Sequence, residues 1–169
     1  MKNPKIELGF SKLSRALTSL EDIASKPQQE DRSNIDASIQ RFEFTIELFW
    51  KLLRAILESK GVEVQYPKDV LREAFKGHLI DHEQEWLKML LDRNIIVNSG
   101  EFGARSDGAT PISNRRATSD NVPNFSSIDY TSHTYDQQLA DKIYNNIRYY
   151  IPILRSTFDS LNFLKDSII

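Results

Sequence analysis

An arginine and a histidine brought together can cleave RNA without a metal. The imidazole moves a proton at the 2′-hydroxyl or the leaving oxygen, and the guanidinium stabilises charge on the phosphorane. Arg93 and His133 are a candidate pair of this kind, although 39 residues stand between them. The fragment DRN (Asp92, Arg93, Asn94) closes the helical stretch HEQEWLKMLLDRN, and TSHTYD (Thr131 to Asp136) opens another segment. With residues 96–130 set aside, the two join as DRNITSHTYD, which places an Arg, four residues, a His, one residue and a Tyr in a row. Taken singly, each residue has a plainer use. An Arg at a helix end serves carbonyls or a carboxylate, and a His in SHTY caps a helix. Asn94 either positions the Arg or stops the helix. Tyr135 carries a hydroxyl able to donate, accept or be modified, and Ser132 joins it as a candidate substrate contact.

Glu47 and Lys51, in IELFWKLL, are spaced i,i+4. Such a pair is ordinarily a surface ion pair worth ~0.3 to 0.5 kcal/mol. Their place on an otherwise apolar helix favours a role facing a polar pocket and adds both to the candidate substrate contacts. Asp81, Glu83 and Glu85 make no recognisable metal set with His78 and His82, so no metal site is expected. There is no P-loop, no Gly-rich phosphate cradle and no G-S-x-D-x-D loop of a nucleotidyltransferase. If nucleotide chemistry is involved, another polypeptide supplies it, ATP or another nucleotide enters through that partner, and no cofactor of the chain's own is expected.

Helices must position these groups. Ile6, Phe10, Leu13, Leu17, Leu20 and Ala24 recur every three or four residues, one face of an amphipathic helix that Pro27 and the following polar run end. Ser33 or Asn34 is suited to cap a second helix running to about Lys60, with Gly61 as a left-handed C-cap. Its main stripe includes Ile35, Ile39, Phe42, Ile46, Phe49, Leu53 and Ile56, and Phe44, Leu48 and Leu52 add another. That much apolar girth predicts burial on more than one side. With Trp50, it also predicts a symmetric homodimer covering the surplus. A short helix follows, starting near Pro67 and ending at Gly77, with Val70, Leu71, Ala74 and Phe75 inward. A fourth spans residues 82 to about 95 with Trp86, Met89, Leu90 and Leu91 inward. Leu139 to Leu161 mark a long last helix that Pro152 should kink or split near residue 148. No segment alternates with period two. The expected fold is all-α: a single domain over residues 1–169, an antiparallel up-and-down bundle of four main helices and one short one.

Within residues 96–130, the stretch from Asn98 to Tyr130 has no hydrophobic period and holds three of the chain's six glycines. Residues 96–130 are expected to form a surface loop insertion. Composition narrows function further. A formal net charge of −2 argues against a dedicated duplex-DNA binder, while a small RNA site stays compatible with it. The absence of cysteine removes disulfides and thiolate sites and fits a reducing cytoplasm. The N-terminal MKNPKIELGFSKL lacks an uninterrupted apolar run, so neither a signal peptide nor a membrane span is expected there.

Four blocks in order, RFEFTIELFWKLLRAILESKG, PKDVLREAFKGHLID, EWLKMLLDRN and TSHTYD, resemble the nucleotidyltransferase substrate-binding proteins, the HepT-like branch of the HEPN superfamily. The resemblance covers nearly everything except the insert. It implies a five-helix bundle, commonly dimeric, that is encoded beside a minimal nucleotidyltransferase and acts with it. Some relatives form toxin and antitoxin pairs, in which the HEPN partner is a ribonuclease with an R-x4-H motif and the nucleotidyltransferase silences it by adenylylating a Tyr in H-x-Y. Position by position, the resemblance implies Arg93 and His133 as the catalytic pair, Asn94 as the adjoining polar residue and Tyr135 as the modified tyrosine. The insert breaks the short spacing between Arg93 and His133. A substrate-binding partner subunit is therefore the leading expectation, an active ribonuclease toxin regulated at Tyr135 the second, and an interaction module with a degenerate motif the third.

Overall fold

The computed structural model describes residues 3–27, 32–99 and 137–165, and its regular elements there are five α-helices. They are α1 (Pro4–Ser25), α2 (Ser33–Ser59), α3 (Pro67–Lys76), α4 (Glu83–Ser99) and α5 (Gln137–Phe163). The expected all-α architecture is the one observed.

Pairings between helices fix their directions. Lys5 near the start of α1 bonds Glu58 near the end of α2, and Arg41 reaches back to the Ser19 carbonyl, so α1 and α2 are antiparallel. Phe49 packs on Trp86 while Glu47 meets Arg93, which runs α4 antiparallel to α2. Arg32 pairs with Asp141 and Phe42 stacks on Tyr150, so α2 and α5 run the same way across the core. The outcome is an up-down-up-down bundle in which α2 touches each of the other four helices. At ~1.5 Å per residue, its 27 residues give a rod of about 40 Å.

The apolar stripes enter one core, with Leu13, Leu17, Phe42, Phe49, Trp86 and Ile147 all almost wholly buried. Gly9 is a close-approach position between α1 and α2, since a β-carbon there would stand 2.9 Å from Leu52 Cδ1. Gly61 ends α2 with φ of 80°, the left-handed residue expected from the sequence.

Several expectations are corrected. The residue before α2 is Arg32, itself at φ 60°, and its side chain makes no capping hydrogen bond to that helix. The Asn34 side-chain amide donates to the Pro27 carbonyl at 3.2 Å. Phe75 and Leu91 lie outward, 40% and 57% exposed, because Ala74 and Leu90 already fill the inward positions of α3 and α4. Pro152 does not split α5, and its ring sits on the solvent side. The helix α4 runs past residue 95 to Ser99, and Ile96, one heptad after Met89, is buried in the core. The first residues assigned to the insertion are therefore helical, and the remainder lies outside the described residues. Phe42 and Phe49 are fully buried within one chain and Trp50 is partly buried, so of the four aromatics that predict a second copy only Phe44 is exposed.

Candidate functional site

Consecutive residues on a helix point about 100° apart, and Asp92, Arg93 and Asn94 divide their contacts accordingly. Asp92 turns to α5. Its carboxylate is buried and accepts from Tyr150 Oη at 2.8 Å and Asn146 Nδ2 at 3.0 Å. Burial, then the hydrogen bond to Asp92, pushes the Tyr150 hydroxyl far above its ordinary range, so it stays a neutral donor. This triad ties α4 to α5 one residue from Arg93.

Arg93 turns to α2. Its Nη2 donates to Glu47 Oε2 at 2.8 Å, and its Nη1 donates to Asn94 Oδ1 at 3.2 Å. Glu47 is a hub. Its Oε2 also accepts from Trp50 Nε1 at 2.9 Å, and its Oε1 pairs with Lys51 Nζ at 2.8 Å. Burial alone would raise the Glu47 pKa. Hydrogen bonds from Lys51 and Trp50, with the charges of Arg93 and Lys51, outweigh it and hold the carboxyl below its ordinary range. Two cations around one carboxylate leave the cluster with one net positive charge. Lys51 is 57% exposed and brings that charge to the surface, while Arg93 is 18% exposed, with Nε buried and unpartnered among the described residues.

The structure thus brings together four of the expected site residues, Glu47, Lys51, Arg93 and Asn94. Ser132, His133 and Tyr135 lie outside the described residues. Sequence reasoning misses Trp50, Asp92, Asn146 and Tyr150. Asp92 sits inside the DRN fragment, and Asn146 and Tyr150 lie i,i+4 on α5, but the partners are 54 and 58 positions from it in sequence. Among the described residues no group of three or more His, Cys, Asp or Glu side chains could hold a metal ion, and no helix is long and apolar enough to cross a membrane.

The family model "nucleotidyltransferase substrate binding protein like" matches residues 8–99, more than half of the chain, and this span holds Glu47, Lys51, Arg93 and Asn94. The chain belongs to this family. A solved crystal structure of a Thermus thermophilus protein has a similar fold, with a TM-score of 0.61 and 27% identity over 88% of this chain and 98% of that one. Two curated proteins share shorter segments. A component of the NADH-quinone oxidoreductase of Rickettsia conorii is 36% identical over 77 residues, and the ATP synthase gamma chain of Rickettsia africae is 47% identical over 58 residues. These matches take in 40% and 34% of this chain. The chain spans 32% and 17% of the length of these two relatives, whose names differ from each other and from the family.

Proposed function

We propose that this chain is the substrate-binding partner subunit of a separate, minimal nucleotidyltransferase, and that the surface around Arg93, Asn94, Glu47 and Lys51 holds the substrate. The observation that carries the reading is the net positive cluster at the α2–α4 seam, inside the span that the family model matches. Its geometry suits binding an anionic group. Lys51 offers an accessible ammonium, and the second cation behind it is fixed by a carboxylate and a neighbouring amide. The nucleotide, ATP or another, reaches the pair through the partner. In this reading the subunit works in the cytoplasm as a homodimer, Ser132 and His133 complete the substrate contacts and Tyr135 is the residue open to adenylylation.

Catalysis of RNA cleavage by Arg93 and His133 asks more of the site. Arg93 would have to release Glu47 to stabilise a phosphorane, and the low-lying pKa of Glu47 keeps that pair ionised at neutral pH. The test is co-expression with a small nucleotidyltransferase from the same genome, followed by size exclusion and intact mass after incubation with ATP. A stable complex is expected, and a gain of one adenylyl group that vanishes in Tyr135→Phe would add modification to it. Absence of any complex, or robust RNA cleavage by the isolated chain that Arg93→Ala abolishes, would overturn the reading.

A further inference from the structure

Away from the α2–α4 seam, α1 and α2 form a wide-mouthed surface cavity of about 550 Å³ lined by Lys12, Arg15, Ala16, Ser19, Arg41, Phe44 and Leu48. Three of these side chains are cationic and none is acidic. Most described cations of the chain that meet a carboxylate do so at short range, as Lys5, Arg32, Arg54 and Arg155 show. Lys12, Arg15 and Arg41 have no carboxylate partner among the described residues. Arg41 spends one Nη1 hydrogen on the Ser19 carbonyl at 2.9 Å, and Arg15 makes one long contact from Nε to the Ser11 carbonyl at 3.5 Å. The other N–H groups of both guanidiniums have no protein acceptor among the described residues. The Ser19 carbonyl holds the Arg41 guanidinium between α1 and α2.

The apolar part of the cavity is equally specific. Phe44 is 58% exposed although it sits mid-helix beside a packed core, and Leu48 and Ala16 lie near it in the cavity wall. An aromatic face beside unpaired guanidiniums matches a ligand with a flat ring at one end and a phosphate at the other. The ring stacks on Phe44, and the guanidiniums take the phosphate oxygens through paired N–H groups. The volume is that of a small-molecule site.

We propose that the α1–α2 cavity binds a nucleotide-class ligand, with Arg15, Arg41 and Lys12 on the phosphate and Phe44 against the base. The site shares no residue with the Arg93 cluster and does not depend on the function proposed for that cluster.

The experiment is calorimetric titration of the full chain with AMP, adenosine and inorganic phosphate, with far-UV circular dichroism verifying each variant's fold. AMP should bind saturably, and adenosine and phosphate at least about tenfold more weakly. Phe44→Ala should weaken AMP by about fivefold or more, the lower end of base–aromatic stacking. Arg15→Gln and Arg41→Gln should each weaken AMP while leaving adenosine unchanged. Arg41 also braces α1, so the exposed Arg15 keeps the test decisive if Arg41→Gln disturbs folding. No saturable AMP binding at millimolar concentration, phosphate binding as tightly as AMP, or AMP binding indifferent to Phe44 and Arg15 would overturn the proposal. Binding of an acidic amphipathic helical peptide in place of AMP would also overturn it, making the cavity a protein-docking groove.

Discussion

Replacing Glu47 by Gln removes the charge that holds Arg93 and Lys51 while keeping the side chain's shape. Breaking a buried ion pair costs about 3 to 5 kcal/mol, and exposed pairs are worth about 0 to 1 kcal/mol. With side chains 21% and 18% exposed, the Glu47–Arg93 pair falls between these limits, and about 2 kcal/mol is the expected loss. For a chain of this length that lowers the melting temperature by about 4 to 8 °C. Because folding depresses the Glu47 pKa, the stabilisation is fully present above the unfolded value and disappears as pH falls through the folded one. Thermal melts followed by circular dichroism should therefore show the full gap between natural chain and Glu47→Gln at pH 7. The gap should close as pH drops below about 4.3, the ordinary glutamate value. A double-mutant cycle with Arg93→Gln should return a coupling of about 1 kcal/mol or more. A gap under ~1 °C at pH 7, or one that persists unchanged into acid, would refute this reasoning.

Tyr150→Phe leaves Asp92 with Asn146 alone and should cost about 1 to 2 kcal/mol, seen as a lower urea midpoint with unchanged slope; an unchanged midpoint would contradict the buried triad. Deleting residues 100–130, and not 96–130, should leave the melting temperature nearly unchanged because α4 and Ile96 stay intact, and a drop beyond about 10 °C would show that the deleted stretch is structural. Light scattering at tens of micromolar is expected to give twice the 19.5 kDa chain mass, with Leu91, Val97 and Tyr149 supplying exposed apolar surface; a monomer mass would remove the homodimer.

The helices are legible because their apolar residues recur with the helical period over long runs, and Pro67 and Gly61 mark boundaries by backbone chemistry that tertiary packing does not override. Phe75 and Leu91 are misplaced for the converse reason. Each follows an apolar neighbour that takes the inward position, and a sequence alone does not say which of two adjacent residues wins. Composition ends α4 too early because the change near Asn98 masks Ile96, whose helical phase matches Met89. At the site, the i,i+4 spacing of Glu47 and Lys51 exposes their pairing, whereas the link from Glu47 to Arg93 spans 46 positions and depends on how α4 lies against α2. The Asp92–Tyr150 bond is hidden in the same way.

The central claim is that the Arg93–Glu47–Lys51 cluster holds substrate for a partner nucleotidyltransferase. Its most direct test is the rate of nucleotide transfer by the reconstituted pair, compared between the natural chain, Arg93→Ala and Lys51→Ala, with complex formation measured on the same samples. We expect both variants to bind the nucleotidyltransferase normally and to raise the KM for the acceptor substrate, Lys51→Ala through loss of its exposed ammonium and Arg93→Ala through loss of the cation that gives the cluster its net positive charge. Transfer rates and KM equal to those of the natural chain in both variants, with complexes intact, would contradict the claim.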